Sequence, residues 1–165
     1  MADVEKLLRA LHQHRVEYVL VGGVAGAAQG ATRLTFDVDL CYARTRENLE
    51  RLASALAPFR PYLRGTEPGL PFSLDAATLR AGLNFTLTTD IGDIDLFGEL
   101  QGLGSYEAVR RHSQALDLFG LPCQLLTLEG LILNKKAVGR PKDLDALREL
   151  EALRELRQGG ASDLP

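Results

Sequence analysis

Val4, Leu7, Leu8 and Leu11 recur at helical spacing with charged residues between them, which predicts an amphipathic helix over residues 1–15. The pattern then changes. Residues 16–21 (VEYVLV) are dense in β-branched and aromatic side chains and stop at Gly22-Gly23, the mark of a buried strand ending in a turn. Residues 23–29 are alanine-rich and precede Gly30, placed where a helix C-terminus favours glycine, so they predict a helix of about two turns. In residues 35–42 (TFDVDLCY) polar and apolar positions alternate, predicting a strand with Asp37 and Asp39 on one face and Val38 and Leu40 on the other. Thr45 is placed to cap a helix to Ala57, a proline-rich loop follows, and Ser73 is placed to cap a short helix to Ala81.

Two further strands are expected over 83–89 and 91–97 around Asp90-Ile91-Gly92, with Asp93 and Asp95 sharing a face. A helix over 105–112 leads to a hairpin over 115–126 turning near Gly120-Leu121-Pro122, and helices over 128–138 and 142–157 close the chain. About six strands interleaved with five or six helices, some joined as hairpins, predict an α/β (α+β) fold on a mixed twisted sheet. The expected organisation is a single domain over residues 1–157 and a flexible tail over 158–165.

Composition narrows the function. The 165 residues are 45 % hydrophobic and 25 % charged, ordinary for one globular domain. A net charge of −3 excludes a basic coat, so any contact with nucleic acid must come from a local patch. The densest one is 135–157, with seven basic and five acidic side chains, four of the basic ones within its first eight residues. Cys41 and Cys123 have neither disulfide-framework nor metal-ligand spacing, and His12, His14 and His112 lack metal spacing too, which suits a cytoplasmic protein without structural zinc. The longest apolar stretch, residues 19–28, is well short of the ~20 needed to cross a bilayer, so no membrane partner is expected. There is no Walker motif. The run Val21-x-Gly23-x-x-Gly26 lacks the first glycine of a dinucleotide fingerprint.

Asp37 and Asp39, two apart on one strand, would lie roughly 6.6 Å apart along the chain and repel each other by about 2.5 kcal/mol at an effective dielectric of about 20. A hard divalent cation relieves that repulsion and leaves ligand positions open for phosphate oxygens. A third acid, Asp93 or Asp95, would complete such a site, and Asp95 is the one flanked on both sides by apolar residues. The strand ending at Gly22-Gly23 with a helix behind it aims backbone N–H groups forward, as an anion site requires.

These residues resemble the nucleotidyltransferase superfamily with the DNA polymerase beta palm, whose signature is met by Val21-Gly22-Gly23 and Asp37-Val38-Asp39-Leu40. Residues 20–40, with Arg33-x-Thr35-x-Asp37, and the late run Leu131, Ile132, Lys135, Ala137, Arg140, Lys142 and Asp143 resemble the small AbiEii-like group associated with toxin–antitoxin and abortive-infection systems. Gln29-Gly30 and Ala146 depart from that group, many members of which have His and an acid there. The resemblance implies a transferase that moves a nucleoside monophosphate from an NTP to an acceptor hydroxyl and releases pyrophosphate. Asp37, Asp39 and Asp95 would hold Mg²⁺ or Mn²⁺, and Asp95 would assist deprotonation of the acceptor. Gly22, Gly23, Arg33, Thr35, Lys135 and Arg140 would contact the nucleotide, with Lys142 a further phosphate contact. The implied acceptor is tRNA or another RNA, a protein or a small molecule, and the implied partner a cognate antitoxin. The alternative is a palm-like binding or regulatory module without turnover.

Overall fold

The computed structural model describes residues 1–162. In chain order they form α1 (Val4–Gln13), β1 (Tyr18–Val21), α2 (Gly22–Ala28), β2 (Asp37–Tyr42), α3 (Arg46–Leu56), β3 (Tyr62–Leu63), α4 (Ala76–Ala81), β4 (Asn84–Thr89), β5 (Gly92–Phe97), β6 (Glu99–Leu100), β7 (Gly104–Ser105), α5 (Tyr106–Arg111), β8 (Ser113–Leu118), β9 (Leu121–Leu126), α6 (Leu128–Val138) and α7 (Leu144–Ser162). Seven strands make one mixed sheet in the order β3-β4-β5-β2-β1-β9-β8, while β6 and β7 pair separately. The expected α/β class and all six predicted strands are present.

The centre of the sheet is apolar on both faces. Val19, Leu20 and Val21 of β1 are each at most 1 % exposed, as expected where helices cover both sides of a strand. Helix α3 packs against α1 and α4, and α6 packs against α2 and α7. β2 runs antiparallel to β1 and parallel to β5, pairing Val21 with Asp39 and Asp39 with Asp95. That register places the glycine turn and both acidic strands at one end of the sheet.

Several boundaries differ from the sequence expectation, each for a local reason. β2 begins at Asp37 rather than Thr35 because the Thr35 hydroxyl donates to the Asp37 main-chain oxygen at 3.0 Å and turns the chain. α4 is capped by Asp75, not Ser73: its carboxylate accepts from the Thr78 N–H at 2.8 Å. The late hairpin turns at Phe119-Gly120, both with positive φ, as a two-residue turn of matching twist requires. Leu121 and Pro122 therefore lie in β9 itself. β3 and the β6/β7 pair are two residues per strand, too short to show a periodicity. α7 continues past Arg157 to Ser162, so the first residues of the expected tail are helical, and residues 163–165 lie outside the described ones. Among the described residues no helix is long and apolar enough to cross a membrane.

Candidate active site

β1 ends where the chain must turn sharply into α2, and Gly22 makes that turn with φ +61°. A side chain at Gly22 would overlap the Asp39 carboxylate, and one at Gly23 would come within 2.5 Å of Thr35. Glycine at both positions therefore lets β2 lie directly against the start of α2. The other end of α2 is closed by a Schellman arrangement, in which Ala31 N–H reaches the Gly26 oxygen at 2.9 Å, Gly30 N–H reaches Ala27 at 3.0 Å, and Gly30 has φ +108°.

Asp37 and Asp39 project from β2 with Asp95 beside them on β5, and ligand oxygens of the three lie within 4.8 Å of one another. Asp93, the rival for third place, pairs with Asp37 in backbone register but stays outside this cluster. Burial, then the negative charges of Asp37 and Asp95, pushes Asp39 up to about 7, while the Gly23 backbone N–H pulls the other way. Asp95 is also raised, chiefly by burial, with the Arg64 guanidinium opposing. At neutral pH Asp39 thus sits close to its titration point, with a hydrogen bond joining it to Asp95. All its donors are carboxylate oxygens, the set a hard divalent cation takes, and the crowding of like charges is the strain such a cation removes. The residues fit a Mg²⁺ or Mn²⁺ ion.

The cluster opens into a cavity of about 720 Å³. Gly22, Gly23, Arg33, Thr35, Lys135, Arg140 and Lys142, singled out from the sequence, all line it. They are held differently. Thr35 is pinned beside Asp37 by its own hydroxyl. Arg33 lies at the surface, 3.7 Å from Asp145. Lys135 and Arg140 converge on Asp143, with Nζ 3.0 Å from Oδ1 and Nε 2.6 Å from Oδ2. Asp143 is only 7 % exposed. Burial raises its pKa, but the two cations outweigh that and hold it below the usual carboxylate range.

Most basic side chains of the segment 135–157 already have partners, within the segment and beyond it. Besides the Asp143 pairs, Lys136 meets Glu151 at 3.1 Å, Arg148 meets Asp145 at 3.5 Å, Arg154 meets Glu129 at 3.6 Å, and Arg157 donates to the Gln29 main-chain oxygen at 2.6 Å. Lys142 makes no ion pair among the described residues. Two functional candidates escaped the sequence reading. Asp143 stands in the sequence only as part of a motif, and Arg64, which touches Asp93 and Asp95, sits where prolines and glycines obscure any pattern. The histidines stay out of the site. His14 and His112 each turn Nδ1 to the carbonyl four residues back, and His12 is exposed.

No family model matches the chain, and no curated protein matches its sequence. Solved structures do match its fold. A lincosamide antibiotic adenylyltransferase, LnuA, in its lincomycin-bound form aligns with TM-score 0.59 at 11 % identity over 92 % of this chain and 98 % of its own. The antibiotic-resistance factor ANT(2'')-Ia aligns with TM-score 0.56 at 15 % identity over 96 % and 91 %. An antigenic nucleotidyltransferase-like protein from Paracoccidioides brasiliensis aligns with TM-score 0.59 at 16 % identity over 94 % and 78 %. The chain has the nucleotidyltransferase fold.

Proposed function

We propose that the chain is a metal-dependent nucleotidyltransferase that transfers a nucleoside monophosphate from an NTP to an acceptor hydroxyl. The observation that carries this reading is the convergence of Asp37, Asp39 and Asp95 oxygens within 4.8 Å beside the Gly22-Gly23 turn, at the floor of the cavity. The nucleotidyltransferase fold of the chain supports it.

In this reading Asp37, Asp39 and Asp95 hold Mg²⁺ or Mn²⁺, which supplies charge neutralisation at the transferring phosphate and lowers the pKa of a bound hydroxyl. Gly22 and Gly23 line the cavity at the start of α2, where the donor's phosphates would meet the backbone. Lys135 and Arg140, pre-oriented by Asp143, and Arg33 and Lys142 at the rim offset phosphate charge. The acceptor oxygen attacks the α-phosphorus, its bond forms as the bond to pyrophosphate breaks, and Asp95 takes the acceptor's proton. Almost all the catalytic work is positioning and electrostatics, as in phosphoryl transfer generally.

Kinship with the AbiEii-like group, and with it an RNA or protein acceptor and a cognate antitoxin, rests on residues 20–40 and 131–143 and is the finer part of the proposal. ANT(2'')-Ia has been captured with adenylyl-2''-tobramycin, which makes a small hydroxylated acceptor the competing choice. Incubating the protein with each labelled NTP, Mg²⁺ or Mn²⁺, and total tRNA, protein extract or a panel of small polyols tests all of these. Label on any acceptor together with pyrophosphate release supports transfer, and its absence in every combination favours a palm-like module without turnover.

A further inference from the structure

Arg64 follows β3 and has no part in the mechanism above, yet its guanidinium is among the most firmly held cations of the cavity. Nη2 donates to the Leu87 main-chain oxygen at 2.9 Å and to Asp95 Oδ1 at 2.8 Å. Nε lies 3.1 Å from Asp93 Oδ2 but off the line of a hydrogen bond, and is buried without a hydrogen-bond partner. The Arg64 main-chain N–H also bonds to the Thr86 oxygen at 3.0 Å, tying it to the strand that pairs with β5. Side chain and backbone are therefore both tied to β4, and the side chain to β5 as well, which leaves the guanidinium little freedom to withdraw.

Asp95 consequently faces two demands. It belongs to the oxygen cluster suited to a divalent cation, and it is already paired with the permanent positive charge of Arg64. Arginine does not deprotonate in proteins, so this charge persists at every working pH. A divalent ion entering the cluster must approach within a few ångströms of it, where the medium is less screening than bulk water. Resting on the metal-site reading above, we propose that Arg64 is a positioning residue that shares Asp95 with the divalent ion. It fixes the carboxylate toward Asp37 and Asp39 and holds down the affinity of the cluster for free metal.

The test is Mn²⁺ binding to the full chain at pH 8 without nucleotide, followed by the electron paramagnetic resonance signal of free Mn²⁺. Arg64→Gln binds Mn²⁺ on the order of tenfold tighter than the native chain, and Arg64→Lys, which keeps the charge, stays near native. In an Asp95→Asn background the gain from Arg64→Gln shrinks, because the shared ligand is gone and only the direct repulsion between the two cations is left. Arg64→Met, which keeps part of the aliphatic stem, serves as the neutral variant if Arg64→Gln does not give a cooperative melt. A neutral variant that binds Mn²⁺ equally or more weakly overturns the proposal, since that is what a merely structural arginine would produce. So does a tenfold gain that persists with Asp95→Asn. If millimolar Mn²⁺ binds neither the native chain nor the neutral variants, the metal-site reading falls along with it.

Discussion

Two acidic centres, one buried and one half-buried, face the same cavity and are solved in opposite ways. At Asp143 the chain supplies its own cations: Lys135 and Arg140 close on the carboxylate at 3.0 and 2.6 Å and keep it ionised below the usual range despite its burial. At Asp37, Asp39 and Asp95 it supplies mostly more negative charge, and burial together with those acidic neighbours pushes Asp39 up to about 7. A satisfied ion cluster joins helices and orients its cations. An unsatisfied one costs folding free energy and persists where something outside the chain completes it, so this contrast favours the triad over Asp143 as the place where the proposed metal would bind.

The largest effect expected is on transfer. Asp37→Ala and Asp39→Ala each reduce nucleotidyl transfer by about a thousandfold or more, because the metal loses a ligand at the reacting phosphate. Both remain folded in a thermal melt. Either variant retaining native rates would break the assignment of the triad.

Stability then separates the two centres by sign. Asp143→Asn leaves Lys135 and Arg140 without their shared anion and destabilises by about 1–3 kcal/mol, at the low end for a buried pair because Arg140 is half exposed. Asp39→Asn removes a like charge and leaves the metal-free protein equally or more stable. Urea unfolding of both in EDTA measures this, and a change of the same sign in both would erase the distinction drawn here.

The contrast also explains what could be read in advance. The triad was legible because its chemistry lies in short runs: a strand ending in two glycines, Asp-x-Asp in strict alternation, and Asp95 between two buried apolar residues, Ile94 and Leu96. Period-two patterning sets which face a side chain takes, and face was most of the information the site needed. Whether Asp93 or Asp95 joins Asp39 depended on strand register, which only the β2–β5 pairing decides. The Asp143 cluster was half legible. Its motif marked the residues, but the ion pairs form across the Gly139 bend between α6 and α7, where Gly139 has φ +63°. Arg64 was invisible, because it reaches Asp95 from 31 positions away in a loop without periodicity.

The pH dependence of the metal-free protein carries the same opposition. Asp39, raised from 3.8 to about 7, binds its proton more tightly when folded. Its contribution to stability is full below pH 4 and is lost as pH rises through 7. Asp143 is lowered, so its contribution is present above 3.8 and is lost as pH falls through its folded value. Thermal midpoints in EDTA from pH 3.5 to 8 should show Asp39→Asn flattening the fall between 4 and 7, with Asp143→Asn flattening only the acid limb. Millimolar Mn²⁺ restores the native midpoint at pH 8 by a few degrees through preferential binding to the folded state, on the scale of about 2–4 °C per kcal/mol. Asp39→Asn loses most of that gain.

The smallest effect concerns the basic segment 135–157, where the comparison of satisfied and unsatisfied charge reaches the choice of acceptor. Lys136 and Arg140 already have carboxylate partners, and Lys142 has none among the described residues. A polyanionic acceptor would have to compete with Glu151 and Asp143 for two of these three cations, so the segment offers less free positive charge than its composition suggests. If RNA is the acceptor and docks here, changing Lys136, Arg140 and Lys142 to Gln lowers affinity about equally across sequences. It also reduces the slope of log K against log salt by fewer than three phosphate contacts, at about 0.9 per contact for a duplex and 0.7 for a single strand. The single change Lys142→Gln then accounts for most of the slope lost. If the acceptor is a small polyol, neither variant changes acceptor affinity or its salt dependence. Acceptor binding at two salt concentrations for the native chain and both variants distinguishes these, and a full loss of three contacts would show that the pairs with Glu151 and Asp143 yield readily to phosphate.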